Sequence, residues 1–284
     1  MRNDRVLSRR RALQLSASAA AAAWALPLAR EALAAGKVPI GVQLFSVRDL
    51  CEKDLPGTLR AIKAMGYQGV EFAGYYGRGA AELKKLLHDT GLRCCGTHTG
   101  LDTLEGDALA KTVAFNETIG NKFLIVPWIP EERRKTVADW KKLAAEFDAI
   151  ADKVAAHGMR VGYHNHNFEF TPIEGTTPWD LFFGGTKKAV VMQVDTGNCI
   201  EGGGDPLTVL RKYPGRAATI HVKAYSQAKP DAFLGEDEIP WKDVFAALDE
   251  GGATEWYIVE YERENQPPLP AIERCLKNLR AMGR

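Results

Sequence analysis

From Val38 to its C-terminus the sequence repeats one pattern eight times: a short apolar run closed by a polar residue, then a stretch with helical spacing. The runs fall at 40–47, 69–73, 93–98, 123–127, 160–166, 190–195, 219–224 and 256–261. Such β-loop-α units, about 25–35 residues apart, predict a single α/β domain over 35–284, a (β/α)8 TIM barrel. The stretches 56–65, 80–90, 108–119, 137–157 and 270–282 read as helices. The first four run into Gly66, Gly91, Gly120 and Gly158, where glycine accepts the left-handed cap that ends a helix. Asp205-Pro206 and Pro240-Trp241 each look like a cap followed by a helix start. A doubly wound open sheet is the alternative, but no Gly-rich dinucleotide loop follows the first run.

The first 34 residues read as an address. Ser8-Arg9-Arg10-Arg11-Ala12-Leu13 precedes an Ala-rich run through Leu28 and then Ala32-Leu33-Ala34. Charged segment, short apolar segment and A-x-A site make up a secretory signal, and the paired arginines point to twin-arginine export with cleavage near Ala34. The run is shorter than the ~20 residues needed to span a bilayer and is broken by Pro27, so no stable membrane anchor is expected. A periplasmic location follows.

Charge narrows the partners. The chain carries a formal +1, of which the first 34 residues hold +4 (six Arg against Asp4 and Glu31), leaving −3 for the body. A slightly acidic body without a basic stripe argues against nucleic acid. The cysteines at 51, 94, 95, 199 and 275 are odd in number and lack a CxxC spacing, so free thiols are expected rather than a disulfide framework.

In a barrel of this kind the chemistry collects where strands finish. Here the second run holds Glu71 and the third ends in His98. The fifth ends in His164-Asn165-His166, with Glu169 just beyond. The last three end in Asp195 (with Asn198 following), in His221-Val222-Lys223 and in Glu260. Imidazole or carboxylate from four neighbouring strands can converge on one cation. Period-two alternation puts His164 and His166 on one side, and likewise His221 and Lys223.

On these residues the chain resembles the xylose isomerase-like superfamily, in particular its sugar phosphate isomerase/epimerase-type members. The resemblance also takes in Gly41-Val42-Gln43-Leu44-Phe45-Ser46-Val47-Arg48, Gly69-Val70-Glu71-Phe72 and Leu234-Gly235-Glu236 ahead of Ile239-Pro240-Trp241. It implies one divalent metal ion (Mn, Mg, Co or Zn) held by Glu, Asp, His and Glu from strands five to eight. The last three map onto Asp195, His221 and Glu260. The first departs from the family pattern, and His164 is read as the substitute, with Glu169 as fallback. The resemblance also implies a homo-oligomer, although no interface is legible.

The chemistry expected is isomerisation or epimerisation of a small-molecule sugar or keto-sugar, by proton abstraction beside a carbonyl through a metal-bound enediolate. His166 is the first choice of base, with Glu169, Lys223 and Glu260 as further acid/base groups. Glu71, His98 and Asn198 are expected to bind substrate hydroxyls. A lyase or hydratase on keto-sugars or keto-glycosides, and a non-catalytic exported sugar-binding protein, are the alternatives.

Overall fold

A computed structural model describes residues 38–263 and 265–284. The export reading of residues 1–34 lies outside the described residues. No helix among the described residues is long and apolar enough to cross a membrane.

Eight parallel strands form a nearly closed barrel: β1 Ile40–Gln43, β2 Gly69–Phe72, β3 Arg93–His98, β4 Phe123–Val126, β5 Arg160–His164, β6 Val191–Gln193, β7 Thr219–Val222 and β8 Trp256–Val259. Their order is β6-β5-β4-β3-β2-β1-β8-β7. Between them run α1 Arg48–Met65, α2 Ala80–Thr90, α3 Ala108–Thr118, α4 Val137–Ala155, α5 Pro178–Gly185, α6 Thr196–Glu201, α7 Pro206–Lys212 and α8 Trp241–Gly251, with α9 Pro268–Ala281 last. Gly66 and Gly91 close α1 and α2 with φ of 103° and 67°, the left-handed caps that only glycine adopts without strain. Asp205 caps α7 by accepting from the Leu207 and Thr208 amides.

Most strands stop one or two residues short of the apolar runs read from the sequence, and β1 stops four short. At β1 the difference has a visible cause: Leu44–Val47 is a 3-10 turn, and the Phe45 amide donates to the Gln43 side chain at 3.1 Å, turning the chain out of the sheet. At the other strands the surplus residues, among them His166, Asp195, Lys223 and Glu260, lie past the last ladder partner. Helix α1 begins at Arg48, eight residues before the expected Pro56, but is kinked at Asp54 (φ −152°), so its second half starts where expected. Helices α5 and α6 have no counterpart in the sequence reading; both are short, at eight and six residues.

The barrel interior is packed with Cys95, Phe123, Ile125, Val191, Ala218, Trp256 and Ile258. Above them, towards the strand ends, register brings polar residues into line: Gln43 is the ladder partner of Glu71, and His164 that of Gln193. Gly96 faces Glu71, and a Cβ there would collide with the Glu71 carboxylate. Glycine is therefore what lets a charged side chain cross the interior at this level.

One seam of the barrel is built differently. β6 and β7 share no extended ladder; they meet at a single parallel bridge between Asp195 and His221, whose amide donates to the Val194 carbonyl at 2.9 Å. Beyond it the Thr196 hydroxyl donates to the Lys223 carbonyl at 2.8 Å and accepts from the Lys223 amide at 3.1 Å. A side chain thus continues the pairing that backbone leaves off, keeping buried backbone groups satisfied.

Candidate metal centre and active site

The four residues from the ends of β5 to β8 converge. His164, Asp195, His221 and Glu260 each offer one donor atom, and these atoms all lie within 4.8 Å of one another. A cation with bonds of about 2.1 Å spans about 4 Å between opposite donors, so the set needs little adjustment to close on an ion. Two atoms of these residues, His164 Nδ1 and Asp195 Oδ2, are buried without a hydrogen-bond partner. Buried polar atoms are rarely left so unless something else satisfies them. Two imidazoles and two carboxylates suit a divalent ion, whose binding would take the place of the proton that His221 otherwise holds. His98, His164 and His221 also approach one another, but that group lacks a carboxylate, and His98 Nε2 is directed at Gln193 and Glu71 instead.

Local structure fixes each donor. Asp195 is the N-cap of α6: its Oδ1 accepts from the Asn198 amide at 2.7 Å, leaving Oδ2 to face the centre. Asn165 locks the preceding strand end by accepting from the Asp195 amide at 2.8 Å and donating to its carbonyl at 3.1 Å. His221 is held at its far nitrogen, 2.6 Å from Glu71 Oε2, which turns Nδ1 toward Glu260 Oε2 at 2.7 Å and Asp195 Oδ2 at 3.8 Å. An acceptor behind a ligating histidine sets its tautomer and orientation.

Glu71 is the hub of the layer beneath. Its two oxygens take hydrogen bonds from Gln43 (2.7 Å) and Gln193 (2.8 Å) as well as His221, and His98 Nε2 lies 3.3 Å away. Burial alone would raise its pKa, but His98 and His221 outweigh it and hold the carboxylate below its usual range. Burial likewise acts to depress His221, and Glu71 and Glu260 overcome it, so this imidazole sits well above its ordinary value. His164 goes the other way: burial, reinforced by His221 and His98, holds it well below, as a neutral ring with a lone pair to give.

Lys223 joins this centre to the rim. Its Nζ donates to Glu260 at 3.0 Å and Glu262 at 2.7 Å, and is 3.9 Å from Asp195. Burial would lower its pKa, but the three carboxylates raise it instead, keeping the ammonium charged. His221 and Lys223 thus face the same side, as their spacing required. His166 lies just past β5, its ring 5.4 Å from His164, edge-on to Trp128 at 5.2 Å and stacked with Phe168. Burial lowers its pKa, leaving a free imidazole whose Nδ1 has no partner.

Three sequence-based assignments need correction. Glu169 is neither at the centre nor at the mouth. It accepts from the Tyr163 hydroxyl and from the His166 amide (2.9 Å). Tyr163 has the opposite parity to His164 and packs outward among Trp140, Phe147, Trp179 and Phe182, so Glu169 belongs to the helix-facing side. Glu71 does not bind substrate hydroxyls, because it is fully buried and protein donors occupy both oxygens. Asn198 gives its amide to the Asn165 carbonyl at 3.1 Å and serves the same turn. His98 stays half-buried above the hub.

Gln43 and Gln193 were given no part in the site from the sequence. Gln193 stands two residues before Asp195, so period-two spacing from that candidate donor would have found it. Among the aromatic residues that follow the strands, Tyr75 stacks on Phe115 at 4.1 Å as ordinary packing, whereas Trp128 is 50% exposed.

Burial lifts the Glu169 carboxyl from 4.5 to about 7. The fold therefore holds this proton more tightly than the unfolded chain does. Its contribution is complete below pH 4.5 and is lost as pH rises through about 7, a change on the order of 3 kcal/mol against stability. Urea unfolding at pH 5 and pH 8 is expected to show this loss, and Glu169→Gln is expected to remove it from the difference between the two.

Residues 59–282 match the family described as xylose isomerase-like TIM barrel. An inosose dehydratase from Lacticaseibacillus casei is 29% identical over 158 residues, covering 49% of this chain and 52% of that protein. The chain thus spans about half the length of that relative. A sugar phosphate isomerase/epimerase from Parabacteroides distasonis ATCC 8503 superposes with a TM-score of 0.73 at 25% identity, over 86% of this chain and 98% of the other. The IOLI protein, solved with a binding zinc atom, shares the fold at a TM-score of 0.67 and 12% identity, over 85% of this chain and 96% of its own.

Proposed function

Because this chain belongs to the xylose isomerase-like TIM barrel family, we propose that it is a divalent-metal-dependent enzyme that removes a proton beside the carbonyl of a small sugar or keto-sugar. The observation that carries this reading is the convergence of His164, Asp195, His221 and Glu260, with His164 Nδ1 and Asp195 Oδ2 buried without partners, beside a charged lysine and a free imidazole. The chemistry a bound ion supplies here is Lewis-acid polarisation of the carbonyl, which acidifies the adjacent C–H.

The protein's own groups then divide the work. His166, neutral and unpartnered at Nδ1, takes the proton at the β5 side of the mouth. Lys223 stabilises the oxyanion of the resulting enediolate from the β7–β8 side, its charge maintained by Glu260 and Glu262. Glu71 keeps His221 in the tautomer that presents Nδ1 to the centre. Trp128 and Phe168 flank His166 and limit water around it. Return of the proton at the neighbouring carbon or on the opposite face completes an isomerisation or epimerisation.

A second reading, a lyase or hydratase on keto-sugars or keto-glycosides, is favoured by the asymmetry of the site. Imidazole stands on one side and ammonium–carboxylate on the other, which suits an unlike base and acid acting on a proton and a leaving group. The match to an inosose dehydratase supports it as well. Both readings share the first step. In D2O the metal-loaded protein is expected to place deuterium beside the carbonyl of its substrate, and His166→Ala to slow this by about 10²-fold or more. Loss of water or of an alcohol from the product marks the lyase; an isomer of unchanged mass, apart from deuterium, marks the isomerase. Absence of exchange across aldoses, ketoses and keto-glycosides, with metal bound, would falsify the shared step. We further propose that the chain works outside the cytoplasm, a reading supported by the twin-arginine pattern in residues 1–34.

A further inference from the structure

The base sits on a stretch of chain that no strand holds. β5 ends at His164, and His166 lies beyond the last ladder partner. Both of its backbone groups are taken by side chains instead: its carbonyl accepts from Asn165 Nδ2 at 3.2 Å, and its amide donates to Glu169 Oε2 at 2.9 Å. Glu169 reaches back from the 3-10 turn Phe168–Phe170, much as a glutamate closes a capping box. The other oxygen of the same carboxyl accepts from the Tyr163 hydroxyl. Tyr163 is fully buried in β5 and packed against Trp140, Phe147 and Trp179. One carboxyl therefore ties the amide of the base to a rigid point on the strand behind it. From the other side the same loop rests on the end of α6. Gly202 follows that helix with φ of −79°, a conformation open to any residue, yet a Cβ there would lie 2.1 Å from the Asn167 carbonyl oxygen and 3.0 Å from its Cα. Glycine is required here for room, and the room is filled by the residue next to the base.

The geometry points to Glu169 as a positioning residue: by bracing the His166 amide against Tyr163 it aims the imidazole between Trp128 and Phe168, and Gly202 leaves room for the loop so placed. This rests on the reading of His166 as the base and extends it to the residue that sets its aim. Burying a carboxyl is a costly way to satisfy one loop amide, and holding a base still gives that cost a use. Among the described residues neither Glu169 nor Gly202 hydrogen-bonds any of the four metal donors, so the brace can be cut while the ion's site is left whole.

The test uses the full chain loaded with Zn²⁺, which is diamagnetic, and compares the parent with Glu169→Leu, Glu169→Gln and Gly202→Ala. Two things are read: nuclear Overhauser contacts from the His166 ring to Trp128 and Phe168, and deuterium exchange into the sugar that exchanges fastest in the screen above. Glutamine keeps an oxygen for the His166 amide and an N–H for the Tyr163 hydroxyl. It is therefore expected to keep the ring contacts and to stay within about threefold of parental exchange at saturating sugar. Glu169→Leu and Gly202→Ala are expected to lose the contacts and to exchange about tenfold more slowly or worse, with zinc content and KM unchanged. In a His166→Ala background Glu169→Leu is expected to slow exchange no further, because a residue that acts only through the base has nothing left to aim. Parental exchange and ring contacts in both Glu169→Leu and Gly202→Ala overturn the brace. So does a full additional loss in the His166→Ala background, or a Glu169→Gln variant as slow as Glu169→Leu. Should Glu169→Leu fail to fold, Gly202→Ala carries the same test. If zinc binds and no sugar exchanges, the reading of His166 as the base falls, and the ring contacts alone decide the brace: lost in Glu169→Leu and Gly202→Ala, it stands; kept in both, it falls.

Discussion

Asp195→Asn is expected to yield a folded barrel that retains little or no metal. Elemental analysis of the parent should find about one equivalent of Mn, Co, Zn or Mg, while the variant binds at least 10²-fold more weakly. The substitution isolates the ligand from the cap. Asparagine keeps an oxygen to accept from the Asn198 amide, the 2.7 Å bond that starts α6, but it removes the charge from the atom now buried without a partner. Helix initiation is preserved and the donor is lost. Turnover should fall at least as far as metal occupancy. A parent that stays metal-free after incubation with each ion would move the sugar-binding, non-catalytic reading to the front, because the acid/base groups would then have no polarised carbonyl to act on.

Glu71→Gln is expected to have the largest effect on stability. The carboxylate receives hydrogen bonds from Gln43, Gln193 and His221; the other nitrogen of His221 has Glu260, but the nitrogen facing Glu71 depends on it. An amide offers one oxygen and two N–H groups, so at least one donor would meet another donor in a fully buried site. Breaking a buried charged network in this way costs about 3–5 kcal/mol, or roughly 10 °C in Tm for a domain of this size. His221 would also lose the partner that fixes its tautomer, with metal affinity falling about 10–100-fold. Thermal unfolding with and without added Mn²⁺ separates the two effects. A variant within about 1 kcal/mol of the parent would mean that Glu71 is not the hub the geometry makes it.

The barrel and its donor set were legible in the sequence for one reason. A parallel strand buried on both faces is a nearly continuous apolar run, so a His, Asp or Glu closing such a run stands out. Strand ends were less legible, because each apolar run was read through to the polar residue that closes it, and at β5 to β8 that residue lies past the end of the strand. The layer below the centre was missed for a different reason. Gln43 and Gln193 are neutral, lie inside their runs, and acquire meaning only when register brings them against Glu71. Glu71 itself was seen but given the wrong role, since sequence shows that a carboxylate is present and not what already surrounds it. Glu169 was misplaced because loop direction after β5 is set by Tyr163, which faces the helices. A sequence shows parity along a strand but not the course of the chain once the strand has ended.

The seam between β6 and β7 gives the centre a second duty. Asp195 and His221 are at once two of the four donors and the single bridge by which the barrel's hoop meets itself. An ion held between them would act as a rivet, so that emptying the site loosens a structural joint and filling it tightens the whole ring. Amide exchange along β6 and β7 would then report occupancy as faithfully as turnover does. The same economy restricts variation: a change of donor at the seam alters both reactivity and closure, whereas a change in the surrounding loops leaves closure alone. New specificities in a barrel riveted at its own reaction centre must therefore arise from the loops around it.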